Sequence, residues 1–572
     1  MSNQEKIISL LDHAVQMHQA SQLEEAEELY NKVLILSPHQ YDALNLLGVI
    51  ADQRGNTDQA INLFNQAINA SPNLVTAHYN KANTLRDNKQ LGEAEVSYKN
   101  ALTCNPKSQD ALLNLGVILQ DQNRTEEALA KFLELIKIAP KNAKAHYNKG
   151  KTLHKAGNLS DAEKALKKAI KLDPSNAYSH FALANICDDL NKNEDAIKYI
   201  QKAIEIRPEW GQAYSNLGNF LKNIESLQEA LKAYKKSLEI EPENHTTRTN
   251  LGILQLYMQE FEKGWENYSY KSKSNAPFYQ KHNFNLPTWN GEDLSKENIL
   301  LWNEQGLGDE ILYASMIREF CLKTKSCSLL CSDKLRAIFK NSFADINNLT
   351  ILENQEIINK HSNYDKAISL TDLGRYLRPS SNSFPLPQAY LKFDESKKIR
   401  IRSYLETNFG SEKQFIGISW SSKNPLIGDD KSIPIEAWIP FLKLSNIQFI
   451  NLQYGEKLED LKRLPKRIQP LIASLDSIDL NGDLKETLEL LSALDLLVTC
   501  SNTTAHLAGA SGLPVWILAP KGKSLIWYWF FQGFRSLWYR KARIFRLQNT
   551  RQWKHLINEV IEFFEKNRKD HG

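Results

Sequence analysis

The chain has 572 residues, of which 42% are hydrophobic and 24% charged, with a formal net charge of +4. That length exceeds what one core can fill, so several domains or a repeat array are required, and so slight a charge argues against nucleic acid as a partner. Six cysteines without a C-x-x-C pair (Cys104, Cys187, Cys321, Cys327, Cys331, Cys500) argue against a zinc site or disulfide framework and for a reducing, cytoplasmic location. No transmembrane segment is expected, since no stretch reaches the roughly 18 apolar residues that span a bilayer. The N-terminal MSNQEKIISLLDHAVQMHQ lacks the apolar run of a signal peptide.

From the N-terminus onward, prolines recur at 38, 72, 106, 140, 174, 208 and 242, each 34 residues after the last. In the same register stand Ala26, Ala60, Ala94, Ala128, Ala162, Ala196 and Ala230, and a second small-residue series runs Ala14, Gly48, Ala82, Gly116, Gly150, Ala184, Gly218, Gly252. Small side chains let paired helices cross closely, and proline ends the second helix of each pair. The pattern matches the tetratricopeptide repeat, with seven full units and a weaker eighth over residues 1–270. Such units stack into an α-solenoid with a groove. Asn80, Asn114, Asn148, Asn216 and Asn250 share one repeat position, interrupted by Ala182. A ladder of amides offers donors and acceptors to an extended peptide backbone, and it is equally a common structural feature of such repeats.

The register is lost over 271–296, a linker containing Pro277, Pro287 and Gly291. Short apolar runs then alternate with amphipathic stretches: ENILLWN, a helix over 309–323, CSLLCS, a helix near 333–342, LTILEN and DKAISL. A second set follows, comprising QFIGISW, PIEAWIPFLKL, IQFINLQ, QPLIASL, DLKETLELLSAL, DLLVTCS, TTAHLAGASG, PVWILAP and a terminal helix after Trp553. Strands alternating with helices predict parallel sheets, here two Rossmann-like halves, 297–400 and 401–572, parted near 391–413. Ligands of such sheets sit at the carboxyl ends of the strands.

Two strand ends carry candidate chemistry. In LLWNEQGLGDEIL, Gly306 and Gly308 are expected to supply positive φ and close backbone approach to a ligand, and Asp309 is equally a helix cap or a general base. In CSNTTAHLAGASGLPVW, Ser501, Asn502, Thr503 and Thr504 with His506 one turn later open a helix, an arrangement suited to a diphosphate. Neither stretch is a dinucleotide fingerprint or a P-loop.

Taken in order, LPTWNGEDL, LLWNEQGLGDEIL, GISWSSKNPLIGDDKSIPIEAW, FINLQYGE, LDLLVTCSNTTAHLAGASGLPVWILAP and SLWYRKARIFR resemble bacterial tetratricopeptide-repeat glycosyltransferases, related to the family 9 heptosyltransferases and, more distantly, to O-linked N-acetylglucosamine transferases. The resemblance implies a glycosyltransferase B fold, with the acceptor held by the first half and a nucleotide sugar by the second. It implies that Asp309 is the acceptor-side base, that Lys431 and Ser432 contact the donor phosphates, that Ser419, Trp420 and Gln453 line the donor pocket, and that Thr503, Thr504 and His506 form the diphosphate turn. The chain departs from many relatives at Trp527, Tyr528 and Trp529, where they carry an arginine between two tryptophans, at Leu547 for a glutamine, and at Lys431 for an arginine.

The function expected is transfer of a sugar from a nucleotide-diphosphate donor to a protein acceptor held in the repeat groove. The alternatives are a non-enzymatic repeat scaffold with a degenerate transferase domain, and a transferase acting on a lipid-linked or polysaccharide glycan. No D-x-D motif occurs, so the site is expected to need neither metal nor cofactor, lysine and helix charge taking the role of a divalent ion.

Overall fold

The computed structural model describes residues 2–274, 284, 286–353, 364–424, 427–475, 478–480, 482–530, 532–548 and 552–569. Pro277 of the expected linker lies outside them. The chain divides into two compact units, Met1–Glu209 and Trp210–Gly572, a boundary inside the repeat array rather than at residue 270.

The first unit is built from twelve helices in six pairs, from Asn3–Gln19 to Asn193–Ile206. The second helices of these pairs end at Leu36, Ala70, Cys104, Ile138, Leu172 and Ile206, each two residues before a repeat proline that cannot continue the turn. The alanine series is fully buried. At the other small position a Cβ on Gly48 would stand 2.6 Å from the Phe64 ring, and one on Gly116 would stand 2.5 Å from Phe132. In these pairs a bulky side chain of the second helix interlocks with a bare backbone on the first, and alanine takes the place of glycine at 14, 82 and 184. The turn within each pair places one residue at positive φ: Ser21, Gly55, Lys89, Asn123, Gly157 and Asn191. This third 34-residue period has no chemical signature, because four residue types fill it.

The second unit begins with four more repeat helices, Gly211–Asn223, Leu227–Ile240, His245–Tyr257 and Phe261–Tyr268, so that the array contains eight pairs among the described residues. The turn Ser269–Lys273 follows. Two wholly parallel sheets come next. The first has the order β3-β2-β1-β4, with β1 Leu294–Trp302, β2 Thr324–Leu330, β3 Leu349–Ile351 and β4 Lys366–Ser369. The second has the order β10-β9-β8-β5-β6-β7, with β5 Gln414–Ser419, β6 Ile447–Asn451, β7 Ile472–Ala473, β8 Leu496–Cys500, β9 Val515–Ala519 and β10 Ala542–Arg546.

The unit boundary falls where it does because the last repeats are packed into the α/β part. Trp265 is buried, donates its indole N–H to the Arg378 carbonyl at 2.8 Å, and lies against Tyr313 and Trp527. A Cβ on Gly374 would stand 2.4 Å from its ring. Lys271 is fully buried and bridges Glu304, at 3.0 Å, and Asp372. A buried cation of this kind is tolerable only when paired on both sides. In the aromatic stretch that follows β9, Trp527 to Phe530 are buried, whereas Phe534 is exposed.

Three elements differ from the sequence-based expectation. The helix over 309–323 is two helices, Leu307–Ala314 and Ile317–Cys321. The parting region 391–413 contains the helix Glu395–Phe409, capped by Asp394 accepting from the Ser396 and Lys397 amides; its charged sequence hides the element. In the edge strand β10 two of the five residues are basic, and it pairs along its length with β9 alone, with one antiparallel bridge from Arg543 to Arg535 on its other side, so its apolar period is weak. Among the described residues no helix is long and apolar enough to cross a membrane.

Replacing Lys89, held at φ +63°, by glycine should stabilise the protein by about 0.5–1 kcal/mol, because the left-handed conformation costs a Cβ-bearing residue more than the added chain entropy costs glycine. Denaturant melts of the two proteins measure it; an unchanged or lower midpoint contradicts the strain argument.

Candidate functional site

The carboxyl ends of β5, β6 and β8 meet around one amide. Gln453 Oε1 accepts from the Trp420 amide at 3.0 Å, the Ser421 amide at 2.8 Å and the Ser419 hydroxyl at 3.2 Å. Asn502 donates to Ser419 Oγ at 2.9 Å and to the Ser421 carbonyl at 3.2 Å, while its own Oδ1 caps the Ala505 amide at 3.1 Å. The Trp529 indole donates to Ser501 Oγ at 2.9 Å, and the Trp420 indole to Asp460 at 3.0 Å. Ser432 Oγ donates to the Gly428 carbonyl at 2.7 Å and accepts from the Ser422 amide. Ser419, Trp420, Ser432, Gln453, Ser501 and Asn502 therefore stand together at the expected strand ends, with their polar groups spent on one another and on the backbone. They hold the floor of the site.

What remains to face a ligand is smaller. Lys431 ends the helix Gly428–Lys431 and is buried, and its ammonium makes no hydrogen bond or ion pair with any described residue. Burial pushes its ammonium below the ordinary lysine range, and the Asp309 carboxylate partly restores it. The helix Thr503–Ser511 begins beside it, with Asn502 capping its third amide. Thr504 is buried in the first turn. Ser421 Oγ is buried with no hydrogen-bond partner among the described residues. The sequence reading passed over Ser421, and its only signal was a place in the polar run SWSS. A buried cation, an orphaned hydroxyl and a helix N-terminus together make a pocket for an anion.

The turn after β1 supplies the facing group. Gly306 sits at φ −71° and neither it nor Gly308 has positive φ; the expectation of left-handed glycines here is corrected. Gly308 serves instead as a point of contact, since a Cβ there would stand 2.8 Å from His506 Cδ2. The absent side chain lets the helix Leu307–Ala314 lie on the helix Thr503–Ser511. Asp309, in the first turn of the former, is pushed up to about 6 by burial, against the opposing pull of Lys431 and a hydrogen bond from Tyr528. The N-cap of this helix is Gly306, which has no side chain with which to cap it.

His506 does not face the anion pocket. It is buried between Tyr528 and Tyr539, with Nδ1 2.9 Å from the Tyr539 hydroxyl and Nε2 3.3 Å from that of Tyr528, and its ring is tilted over Trp529. Burial and the neighbouring Lys431 charge lower it to about 3, so the imidazole is neutral. A ring with both nitrogens engaged has nothing left for a phosphate.

The asparagines of the series have different partners. Asn80 donates to Asn45 at 3.1 Å, Asn114 donates to Tyr79 and Asn83 at 3.1 Å each, and Asn148 donates to the Lys144 carbonyl at 3.0 Å. Asn216 accepts from Gln212 at 3.0 Å, and Asn250 is half-buried. At Asn80 and Asn114 the amide N–H groups tie one repeat to the preceding one.

Models of the tetratricopeptide repeat match residues 17–82, 75–108, 97–130, 118–157, 143–176, 177–209 and 211–244, so the N-terminal part of the chain consists of these repeats. Protein FlbA of Caulobacter vibrioides is 26% identical over 314 residues, 52% of this chain and 51% of FlbA; the chain thus spans about half the length of this curated relative. A tetratricopeptide repeat protein from Parabacteroides merdae is similar in structure over 44% of this chain and 99% of its own, at 18% identity and a TM-score of 0.36. YrrB, a TPR protein with an unusual peptide-binding site, is similar over 31% of this chain and 92% of its own, at 18% identity and a TM-score of 0.29.

Glu310, next to Asp309, is fully buried and accepts from the Ser332 amide and hydroxyl and from Asn303. Burial raises it to about 7, so the folded protein holds this proton more tightly than the unfolded chain. Its ionisation penalty is absent below about pH 4.5, grows as pH rises, and is complete above about 7. Glu310→Gln should remove a loss of stability of about 3 kcal/mol or less across that window; parallel melts at pH 5 and 7.5 check it, and an identical pH slope in both proteins contradicts it.

Proposed function

We propose that the chain is a protein-binding repeat scaffold whose α/β part transfers a sugar from a nucleoside-diphosphate donor to the bound protein. The observation that carries the transferase reading is Lys431: a buried ammonium that makes no ion pair within 4 Å among the described residues and is offset mainly by the charge of Asp309, a carboxyl itself held near 6, with a helix N-terminus beside it. Burying a cation without a direct partner is costly, and a diphosphate would lower the cost. In this reading the two sheets form a glycosyltransferase B fold with the donor at the ends of β5, β6 and β8.

The chemistry follows from the charges. As the anomeric C–O bond breaks, negative charge grows on the leaving diphosphate, where Lys431, Ser421, Thr504 and the first-turn amides of Thr503–Ser511 stabilise it. Asp309 takes the proton of the attacking acceptor hydroxyl. A carboxyl near 6 is a stronger base than an ordinary aspartate and is still largely ionised at neutral pH.

The second reading is a scaffold without chemistry. It is favoured by the family matches, which concern the repeats, and by the inward use of Ser419, Gln453, Ser501, Asn502 and His506, whose retention needs no ligand.

Purified protein offered a panel of nucleotide sugars should release nucleoside diphosphate when the protein acceptor is present. Lys431→Ala should weaken nucleoside-diphosphate binding about tenfold or more while leaving nucleoside binding nearly unchanged, since a charge-assisted hydrogen bond is lost. Asp309→Asn should bind donor normally and turn over about 10²- to 10⁴-fold more slowly. Calorimetry that finds no nucleoside-diphosphate binding to the wild type leaves the scaffold reading.

A further inference from the structure

The stretch after β9 carries two side-chain hydrogen bonds that reach the two walls of the anion pocket. Ser524 Oγ donates to Asp430 Oδ2 at 2.9 Å, and Asp430 directly precedes Lys431 in the helix Gly428–Lys431. Five residues later in the chain, the Trp529 indole donates to Ser501 Oγ at 2.9 Å, one residue before the N-cap of the helix Thr503–Ser511. Ser524 and Trp529 are both buried.

The Lys431 wall needs such an anchor. Its helix is one turn of four residues, too short to hold itself in place. The backbone bonds around it stay within its own loop: the Ile433 amide donates to the Trp420 carbonyl at 2.7 Å, the Lys431 amide to the Ile427 carbonyl at 3.1 Å, and the Ser422 amide to Ser432 Oγ at 3.2 Å. They fix the shape of the loop but not where its turn stands relative to the helix Thr503–Ser511. Among the described residues, the bond from Ser524 is the one hydrogen bond that ties Gly428–Lys431 to a residue outside the loop 420–433.

The donor of that bond has firm backing. Gly522, at φ +77°, opens the turn that carries Ser524, and a Cβ there would stand 3.3 Å from the Asn223 carbonyl oxygen of the seventh repeat. The Leu525 amide closes the turn on the Gly522 carbonyl at 3.2 Å, and Lys521 donates to the Gln548 carbonyl at 2.9 Å.

We propose that Ser524 and Trp529 are positioning residues for Lys431, and that the segment between them is a clamp that sets the gap between Lys431 and the amino end of the helix Thr503–Ser511. That a diphosphate fills the gap rests on the reading above; the clamp itself does not. A charge-assisted hydrogen bond is short and directional, so a lysine that drifts with its turn loses affinity for phosphate. The Asp430 carboxylate by itself works against an anionic ligand. Its contribution lies in the acceptor that it offers Ser524, and an amide in its place serves equally well.

Full-length wild type and Ser524→Ala are compared by hydrogen exchange and by calorimetry with inorganic pyrophosphate. The variant should exchange the amides of residues 428–433 faster and bind pyrophosphate about tenfold more weakly, the effect of one displaced charge-assisted hydrogen bond. Asp430→Ala should match it, whereas Asp430→Asn should bind at least as tightly as the wild type. Trp529→Phe, which keeps an aromatic ring and removes the indole N–H, should also weaken pyrophosphate binding, and neither it nor Ser524→Ala should cost anything further in a Lys431→Ala background. A purely structural role would lower the melting temperature of Ser524→Ala with pyrophosphate affinity unchanged. That outcome, unchanged exchange over residues 428–433, a loss in Asp430→Asn equal to that in Asp430→Ala, or an undiminished further loss in the Lys431→Ala background overturns the clamp. A wild type that binds neither pyrophosphate nor any nucleoside diphosphate, while Ser524→Ala still speeds exchange in that turn, upholds the clamp and removes the donor reading.

Discussion

The contact between Gly308 and His506 is the constraint on which the rest of the α/β part depends. Two helices that open at the ends of strands in different sheets can lie directly on each other only if one of them has no side chain at the crossing point. Because residue 308 is glycine, the next residue, Asp309, is brought within electrostatic reach of Lys431, although the two are 122 positions apart in sequence. The same contact presses the imidazole back between Tyr528 and Tyr539, which removes it from the anion pocket and makes it part of the wall behind the carboxyl.

A consequence is a division of labour among polar residues that look alike in sequence. The ends of β5, β6 and β8 must close over a buried junction, and every polar group there needs a partner. Gln453 and Asn502 satisfy most of them in a single network. The network is complete without a ligand, so it lends rigidity to the site and says nothing about substrate. Only Lys431 and Ser421, left over from that accounting, carry information about what binds. Electrostatic preorganisation has this form: a satisfied frame around a few unsatisfied groups.

The repeats obey a simpler rule. One position is bare and its counterpart on the second helix is bulky, as in Gly48 with Phe64 and Gly116 with Phe132, and stacking such pairs buries a continuous core. The last pair departs from the rule in what it faces. Trp265 and Lys271 bury themselves against Gly374, Arg378, Glu304 and Asp372, so the array ends as part of the α/β core rather than at a solvent-facing cap.

Sequence alone was enough for the repeat and for the alternation of strands and helices, because both are periodic: a proline or an alanine every 34 residues, and an apolar run at each strand, report local geometry that does not depend on distant partners. It also located the strand ends next to which Asp309 and Thr503 sit. It could not tell which of the neighbouring polar residues would be consumed. Ser421 and Ser419 stand two residues apart in one run, and Asn502 and Thr503 are adjacent; which of them finds a partner is decided by Gln453, more than thirty residues from the first pair, and by the crossing of Gly308 over His506. The closure of Tyr528 and Tyr539 on His506 was invisible for the same reason. A hydrogen bond is directional and short, and its donor and acceptor meet only after the chain has folded; periodicity, which survives in the unfolded sequence, carries no trace of it.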